Sequence, residues 1–158
     1  MLDNPKSSYK KLLASKEFKQ TGFLCSIFVM ASPEELKNEE WQFDFYDEKK
    51  DKMTSYTVGE EVKIVDTEAD IFKEENTIMK ALTLDEVQVS FDKALEKARS
   101  FLESETENRI IIVLQKEKVI FWNISLLTTT FNLLNIRMNA ISGEILETKK
   151  ISLLSFKN

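Results

Sequence analysis

The sequence contains no histidine, one cysteine, three glycines and two prolines in 158 residues. The missing histidine removes the commonest general base near neutral pH and the commonest protein ligand of transition metals. Because Cys25 is alone, no disulfide can form inside the chain, and the core must stabilise the fold. The few glycines and prolines leave little of the chain with the composition of a flexible linker. These absences argue against most classes of enzyme, and we expect no catalytic residues, no cofactor and no metal site.

The composition is that of a globular protein with an ordinary core. Hydrophobic residues make up 42% and charged residues 31% of the chain, and the formal net charge is -5. Lysines are spread along the sequence and form no basic stripe interleaved with aromatic residues, so we expect no nucleic-acid partner. A chain of this length forms one ordinary domain or two very small ones. We predict a single compact domain over residues 1–158.

Three pairs of landmarks recur in the same order and at nearly the same offset in the two halves of the chain. The pairs are the only two tryptophans, Trp41 and Trp122, the serine-preceded aromatics Tyr9 and Phe91, and the Gly-Glu dipeptides that begin at Gly59 and Gly143. Recurrence at a fixed offset is typical of a duplicated structural unit. We predict internal repeats over residues 5–73 and 86–156, joined by a connector over 74–85.

The first half has the pattern of one helix followed by four strands. The helix is predicted to begin at Asn4-Pro5 or at Ser8, because these residues suit the cap and the first turn, and to end at Thr21-Gly22. Apolar runs and period-two alternation predict the strands. The predicted strands are 23–30, 41–45, 53–58 and 61–72, with a hairpin turn over 47–52 and a short helical turn in the connector over 78–82.

The second half repeats this order with a clearer helix. Ser90 is a good N-cap, and the apolar residues after it have the spacing of an amphipathic helix: Phe91, Ala94, Leu95, Ala98, Phe101 and Leu102. Residues 110–114 are five consecutive branched apolar residues, which is typical of a strand covered on both faces. Further strands are predicted over 119–127, 129–138 and 145–156.

These elements predict an α+β protein in which each half packs one helix on an antiparallel sheet of about four strands. One helix across one face leaves the other face of such a sheet poorly covered. We therefore expect the two halves to cover each other and to share one core.

The segment 22–31 follows a lysine-bearing stretch and loosely imitates a signal peptide, with an apolar run that ends in Val-Met-Ala. It is far too short to span a bilayer as a helix. It also occupies the place in the first half that 109–116 occupies in the second half, where a strand is predicted. We therefore interpret it as a strand, and we favour a cytoplasmic over a secreted location.

Several segments match the pattern of a known family. Ser-Phe-Asp-Lys-Ala-Leu-Glu-Lys-Ala at 90–98, Trp-Asn-Ile-Ser-Leu at 122–126 and Asn-Ala-Ile-Ser-Gly-Glu-Ile-Leu at 139–146 resemble the PepSY domain. The first half is similar to it through Trp-Gln-Phe-Asp-Phe-Tyr-Asp at 41–47 and the Gly-Glu dipeptide at 59–60. The sequence departs from the family's turn motif at Asn139 and Ser142, where aspartate and threonine are usual.

The PepSY resemblance implies a cystatin-like fold in two copies, in which a helix packs against a curved antiparallel sheet. It also implies a non-catalytic protein with a peptidase-propeptide, inhibitory or sensing role, often at the cell surface. The resemblance brings no catalytic residues with it.

Three features offer chemistry, and each has a structural alternative. Cys25 would be a nucleophile only beside a base or a positive field, and its apolar neighbours instead predict a buried core cysteine. Acidic residues near 34–40 and 47–51 would suit a hard cation, but they alternate with lysines and match no loop motif, so we expect a solvated surface. Asn123-Ile-Ser125 matches the glycosylation acceptor but lies within a predicted strand.

Thr128, Thr129, Thr130 and Asn132 form an uncharged polar entrance to a predicted strand. Such a stretch is either an ordinary hairpin, which is the simpler interpretation, or an exposed sheet edge that adds a partner's strand. These four residues are the one candidate partner-binding edge that the sequence offers.

The sequence thus predicts a non-enzymatic binding or regulatory module that recognises a protein or a peptide, with peptidase inhibition or sensing as its role. The first alternative is a small-ligand-binding protein or an undemanding enzyme with a pocket between helix and sheet. The second alternative is a protein that associates with itself into a homodimer through exposed strands.

Overall fold

The computed structural model describes residues 2–69 and 78–156. These residues form one helix and four strands, and then a second helix and four more strands. The elements are α1 Pro5–Ala14, β1 Phe23–Ala31, β2 Trp41–Asp47, β3 Lys52–Val58, β4 Val62–Ala69, α2 Phe91–Arg99, β5 Glu107–Lys116, β6 Ile120–Thr128, β7 Asn132–Asn139 and β8 Ile145–Ser152. Short 3₁₀ helices lie at Leu36–Asn38, Leu84–Glu86 and Leu153–Phe156.

The eight described strands form one antiparallel sheet in the order β4-β3-β2-β1-β5-β6-β7-β8. Consecutive strands pair within each half, and β1 and β5, the first strand of each half, pair with each other at the centre. The central register places Ile27 opposite Leu114, Val29 opposite Ile112 and Ala31 opposite Ile110. The predicted α+β class with antiparallel strands is therefore confirmed.

The relative placement of the two halves differs from the prediction. They lie side by side in one sheet, so the expectation that they cover each other face to face is wrong. Pairing of β1 with β5 satisfies the backbone groups of both strands, whereas two separate sheets would expose two more strand edges.

Helix α1 begins as predicted and ends early. The Asn4 side chain accepts a hydrogen bond from the Lys6 backbone N–H at 2.8 Å, and Pro5 occupies the first turn. The helix ends at Ala14, not at the predicted Thr21-Gly22. Beyond the helix, the Phe18 ring packs on two aromatic rings of the sheet. The distance between ring centres is 5.2 Å to Phe45 and 5.5 Å to Tyr56. This packing outweighs the helical propensity of Lys16, Glu17, Lys19 and Gln20, because tertiary contacts override propensity.

Helix α2 follows the predicted amphipathic pattern. The Ser90 hydroxyl accepts a hydrogen bond from the Lys93 backbone N–H at 3.3 Å, which caps the first turn. The residues that α2 buries are Phe91, Ala94, Leu95 and Ala98. The helix ends at Arg99, so Phe101 and Leu102 of the predicted stripe lie in the turn that follows it.

Both helices pack on the same face of the sheet. Tyr9 of α1 stacks on Phe43 at a ring distance of 5.7 Å, and Phe91 of α2 meets Trp41 edge-on at 5.4 Å. Trp41 and Phe43 are two residues apart on β2, so their side chains point to the same side. We call this side the helix face and the opposite side the open face.

The helix face carries a hydrophobic core with buried residues from both helices and from strands of both halves. Within this core the ring centres of Trp41 and Trp122 are 6.3 Å apart, and both side chains are fully buried. The indole N–H of Trp41 donates to the Asp3 carbonyl at 2.7 Å, and that of Trp122 donates to the Val89 carbonyl at 2.8 Å. Each acceptor immediately precedes the N-cap of a helix, so each tryptophan fixes the start of one helix on the sheet.

The connector differs from the prediction. Residues 78–83 form no helical turn, and a short 3₁₀ helix lies instead at Leu84–Glu86. The backbone N–H of Leu82 donates to the Leu24 carbonyl at 2.8 Å, which holds this stretch extended against β1. Residues 70–77, which include the end of the predicted strand 61–72, the end of the first repeat and the start of the connector, lie outside the described residues. None of the described helices has the length and apolar character needed to cross a membrane.

Candidate functional site

Alternate residues of each strand form the open face, and neither α1 nor α2 packs on it. In the two central strands, Phe28 lies opposite Val113 and Met30 lies opposite Ile111. We call these four apolar residues the midline stripe. They are only partly buried, and Met30 is 45% exposed. The open face therefore presents an apolar band along the centre of the sheet.

The midline stripe accounts for the run of five apolar residues at 110–114. Ile110, Ile112 and Leu114 point to the helix face and are buried, whereas Ile111 and Val113 point to the open face and are half-buried. Apolar residues on both sides are typical of a strand that is covered on both faces. Within the described residues only the helix face is fully covered.

A buried carboxylate lies beside the stripe on β2. Asp44 accepts hydrogen bonds from the Ser55 hydroxyl at 2.6 Å, from the Gln42 amide at 2.9 Å and from the Ser26 hydroxyl at 2.8 Å. A buried charge needs such donors, because transfer out of water without them is strongly unfavourable. The donors come from β1, β2 and β3, so the carboxylate connects these three strands.

On the β6–β8 side of the stripe the open face has a hydrogen-bonded polar part, and next to it an apolar row of Leu127, Leu133 and Ile151. The Asn135 amide donates to Asn123 Oδ1 at 2.7 Å and to Ser125 Oγ at 3.0 Å. The Arg137 guanidinium lies 5.4 Å from the centre of the Phe121 ring, a cation–π distance. Asn123 and Ser125 of the glycosylation motif lie inside the interior strand β6, as predicted.

The four candidate partner-binding residues lie at one end of the sheet. Thr128 ends β6, Thr129 and Thr130 form the turn, and Asn132 begins β7. Strands β6 and β7 are interior, and the edges of the described sheet are β4 and β8. These residues are therefore not placed on a strand edge, because β5 and β8 already pair with the two strands. Contact of the four residues with a partner stays a prediction.

Glu105, which no sequence motif indicated, gathers three of these residues into one cluster. Its Oε1 atom accepts hydrogen bonds from Thr128 at 3.2 Å, from Thr130 at 2.7 Å and from Asn132 at 2.5 Å. Its Oε2 atom pairs with the Lys150 ammonium at 2.6 Å. In this Glu105 cluster, one carboxylate connects the segment after α2 with β6, β7 and β8. The only sequence signal is the density of hydroxyl and amide donors over 128–132, which need an acceptor.

The Glu105 cluster predicts a pH dependence of stability. The Lys150 ammonium, followed by the Thr130 hydroxyl and the Asn132 amide, lowers the pKa of Glu105 from 4.5 to about 2. Since the pKa is lower in the folded protein, the ionised carboxylate stabilises the fold above pH 4.5, and this contribution is lost as the pH falls toward 2. We expect Glu105→Gln to lower the urea midpoint at neutral pH, and this difference to shrink between pH 4.5 and pH 2.

The matched control is Glu96→Gln, because Glu96 is exposed on α2 and belongs to no such cluster. Its urea midpoint should differ little from that of the wild type at any pH. If the difference in urea midpoint between Glu105→Gln and the wild type stayed constant from neutral pH to pH 2, the ionised carboxylate would be excluded as the cause of that difference.

Cys25 is buried, as predicted, with its sulfur 3.4 Å from the Asp44 carbonyl oxygen and 3.7 Å from the Met53 sulfur. Burial, followed by the nearby Asp44 carboxylate, raises the pKa of the thiol to about 12. The thiolate is the reactive form. We expect iodoacetamide to label the native protein at least about 100-fold more slowly than the urea-unfolded protein at mildly alkaline pH. Equal labelling rates would contradict a buried thiol.

A cleft of about 280 Å³ opens between the start of α2 and the sheet. Its lining includes Phe91 of α2, Leu114 and Trp122 of the sheet, and the two N-cap residues Asn4 and Ser90. Among residues 2–69 and 78–156, no group of three or more cysteine, aspartate or glutamate side chains is arranged to hold a metal ion.

Comparisons of this chain with models of known protein families, with curated proteins and with solved structures found no match. The interpretation of the open face, the Glu105 cluster and the cleft therefore rests on their own geometry.

Proposed function

We propose that this protein is a non-enzymatic module that binds another protein chain through the open face of its sheet. The observation that carries the proposal is the midline stripe, an apolar band on the one side of the sheet that no described α-helix covers. Exposed apolar surface of this kind marks interaction sites in soluble proteins. A partner bound to this surface would also explain why β5 carries apolar residues on both of its faces.

The distribution of charge supports a protein partner. From Ser26 to Met30 on β1 and from Ile111 to Gln115 on β5, the side chains that point to the open face are uncharged. Exposed charges lie around this region, at Lys63 on β4, at Glu147 on β8 and at Arg109 near the start of β5, while hydrogen-bond donors enclose the Asp44 carboxylate beside the stripe. Protein–protein interfaces have this arrangement, with charges depleted at the centre and present at the rim.

The same proposal includes two cystatin-like repeats, over 5–73 and 86–156, and a PepSY-like origin for both. Each half has one helix followed by four strands, and each tryptophan donates to the residue before the N-cap of its own helix. These equivalent contacts support duplication. The PepSY resemblance favours a peptidase-inhibitory or sensing role within the wider class of protein binding.

A photo-crosslinking experiment tests the proposed function. Benzoylphenylalanine is introduced in place of Met30 on the open face or, as a control, in place of Leu13 on α1, which is 46% exposed. After irradiation in an extract of the source cells, we expect the Met30 variant to crosslink to a protein chain at a several-fold higher yield. Equal yields at the two positions, or no crosslinked product, would contradict binding through the open face.

The second candidate function is binding of a small ligand in the cleft between α2 and the sheet. The observation that favours it is the position of the cleft between helix and sheet, the place that the first alternative from the sequence would require. Its volume of about 280 Å³ lies just below the usual range for ligand sites, about 300–1,000 Å³. Ligand-detected NMR with a fragment library tests it, with Val89→Trp as the variant that fills the cleft. Fragments that bind the wild type and not the variant would support this function.

A further inference from the structure

We infer that the chain bound by the open face is a second copy of this protein, in a symmetric dimer whose twofold axis runs along the seam between β1 and β5. This inference rests on the proposed function, since it names the partner for the same face. Three properties of the open face support it: the position of the stripe, the order of charges across the sheet, and the area.

The stripe lies on the midline of the sheet. Strands β1 and β5 are the fourth and fifth of the eight described strands, so three strands flank the stripe on each side. A twofold axis along this seam packs the midline stripe of one copy on the midline stripe of the other. The three strands on each side of the stripe in one copy then cover three strands of the partner. Phe28 then faces Val113 of the partner subunit, and Met30 faces the partner's Ile111. A stripe near one edge would leave part of each sheet uncovered in a symmetric dimer.

One pair of charges at the two edges of the open face is complementary under the same axis. One row of cross-strand neighbours contains Lys63, Thr57, Gln42, Phe28, Val113, Asn123, Arg137 and Glu147, from β4 to β8. The axis brings the β4 end of each copy over the β8 end of the other, so Lys63 approaches the partner's Glu147. An axis perpendicular to the strands would instead bring Lys63 toward the partner's Lys63, which like-charge repulsion disfavours. This pair therefore favours the axis along the seam.

The area of the open face matches that of a stable dimer. Eight strands spaced about 4.8 Å apart span about 34 Å, and strands of seven to ten residues are about 25 Å long. The projected footprint is thus roughly 850 Å², which is large enough to bury the about 800 Å² of accessible surface per partner that a standard interface needs. Two such sheets packed about 10 Å apart would form a sandwich and would cover both sides of β5.

Sedimentation equilibrium of the full chain over about a 100-fold range of concentration tests the inference. We expect a monomer–dimer equilibrium in the wild type. Met30→Glu should raise the dissociation constant at least about tenfold, because it buries an unpaired charge at the centre of the interface. Leu13→Glu, at a position of equal exposure on the helix side, should change it less than about twofold. Circular dichroism shows whether each variant is folded.

A charge exchange tests the axis separately. Lys63→Glu and Glu147→Lys should each weaken the dimer, and the double variant should restore it, because the exchange reverses both partners of one intersubunit pair. The double variant should restore no contact inside a single monomer, because Glu147 pairs there with Arg137 and Lys149 of its own chain. A dimer that survives Met30→Glu, or a double variant no tighter than the single ones, would overturn the inference.

A protein that stays monomeric at every concentration, while Met30 crosslinks to a different protein, contradicts the dimer and leaves the binding function intact. A monomeric protein with no crosslinked product contradicts both.

Discussion

Trp122→Ala should lower the free energy of unfolding by about 3–5 kcal/mol, which is the usual cost of removing a large aromatic side chain from a core. The Trp122 side chain is 1% exposed, and its ring centre lies 6.3 Å from that of Trp41. Its indole N–H donates to the Val89 carbonyl and so holds the start of α2. Alanine leaves both a cavity and an acceptor without its donor. Urea denaturation of the wild type and the variant measures the difference.

Trp41→Ala provides the matched comparison. Trp41 is 0% exposed and holds the start of α1 through Asp3, so its removal should cost a similar amount. Trp122→Phe, which keeps a ring and loses only the N–H, should cost clearly less than Trp122→Ala. A cost below about 1 kcal/mol for either alanine variant would show that this indole is not part of the core.

The second large effect is expected at the centre of the sheet, where two neighbouring isoleucines point to opposite faces. Ile112 is 0% exposed on the helix face and lies between Val29 of β1 and Ile124 of β6. Ile112→Ala should therefore lower the free energy of unfolding by about 2–5 kcal/mol. Ile111→Ala, on the half-buried open face, should cost about 1 kcal/mol or less in dilute solution, where the monomer predominates.

Urea denaturation at low and at high protein concentration compares the two variants. The cost of Ile112→Ala should not depend on concentration, whereas that of Ile111→Ala should increase with it, because Ile111 lies in the proposed dimer interface. A larger cost for Ile111→Ala than for Ile112→Ala at low concentration would mean that the faces of β5 are assigned the wrong way round.

Local sequence patterns predicted most of the secondary structure. The alternation of Trp41, Phe43 and Phe45 with polar residues placed β2 correctly, and Ser90 with the apolar stripe after it placed α2. Both are local signals, since a period of two or of 3.6 residues is set by neighbouring positions alone. The early end of α1 was missed because it depends on Phe18 meeting rings that are distant in sequence.

The arrangement of the two halves was not predictable for the same reason. Residues 110–114 predicted a strand covered on both faces, but within the described residues only the helix face of β5 is fully covered, and the pattern does not say what covers the other face. The pairing of β1 with β5 joins residues far apart in the chain and has no local signature. The Glu105 cluster is similar, because a lone glutamate after α2 becomes informative only when the fold brings it to the donors at 128–132.

A set of nuclear Overhauser effects across the central seam tests most directly whether β1 and β5 join the two halves into one continuous sheet. The account predicts close backbone contacts between the cross-strand partners Ile27 and Leu114, Val29 and Ile112, and Ala31 and Ile110, with slowly exchanging amides in both strands. If these contacts were absent, and the amides of β1 and β5 exchanged as fast as those of the edge strands β4 and β8, the continuous sheet and the open face built on it would be contradicted.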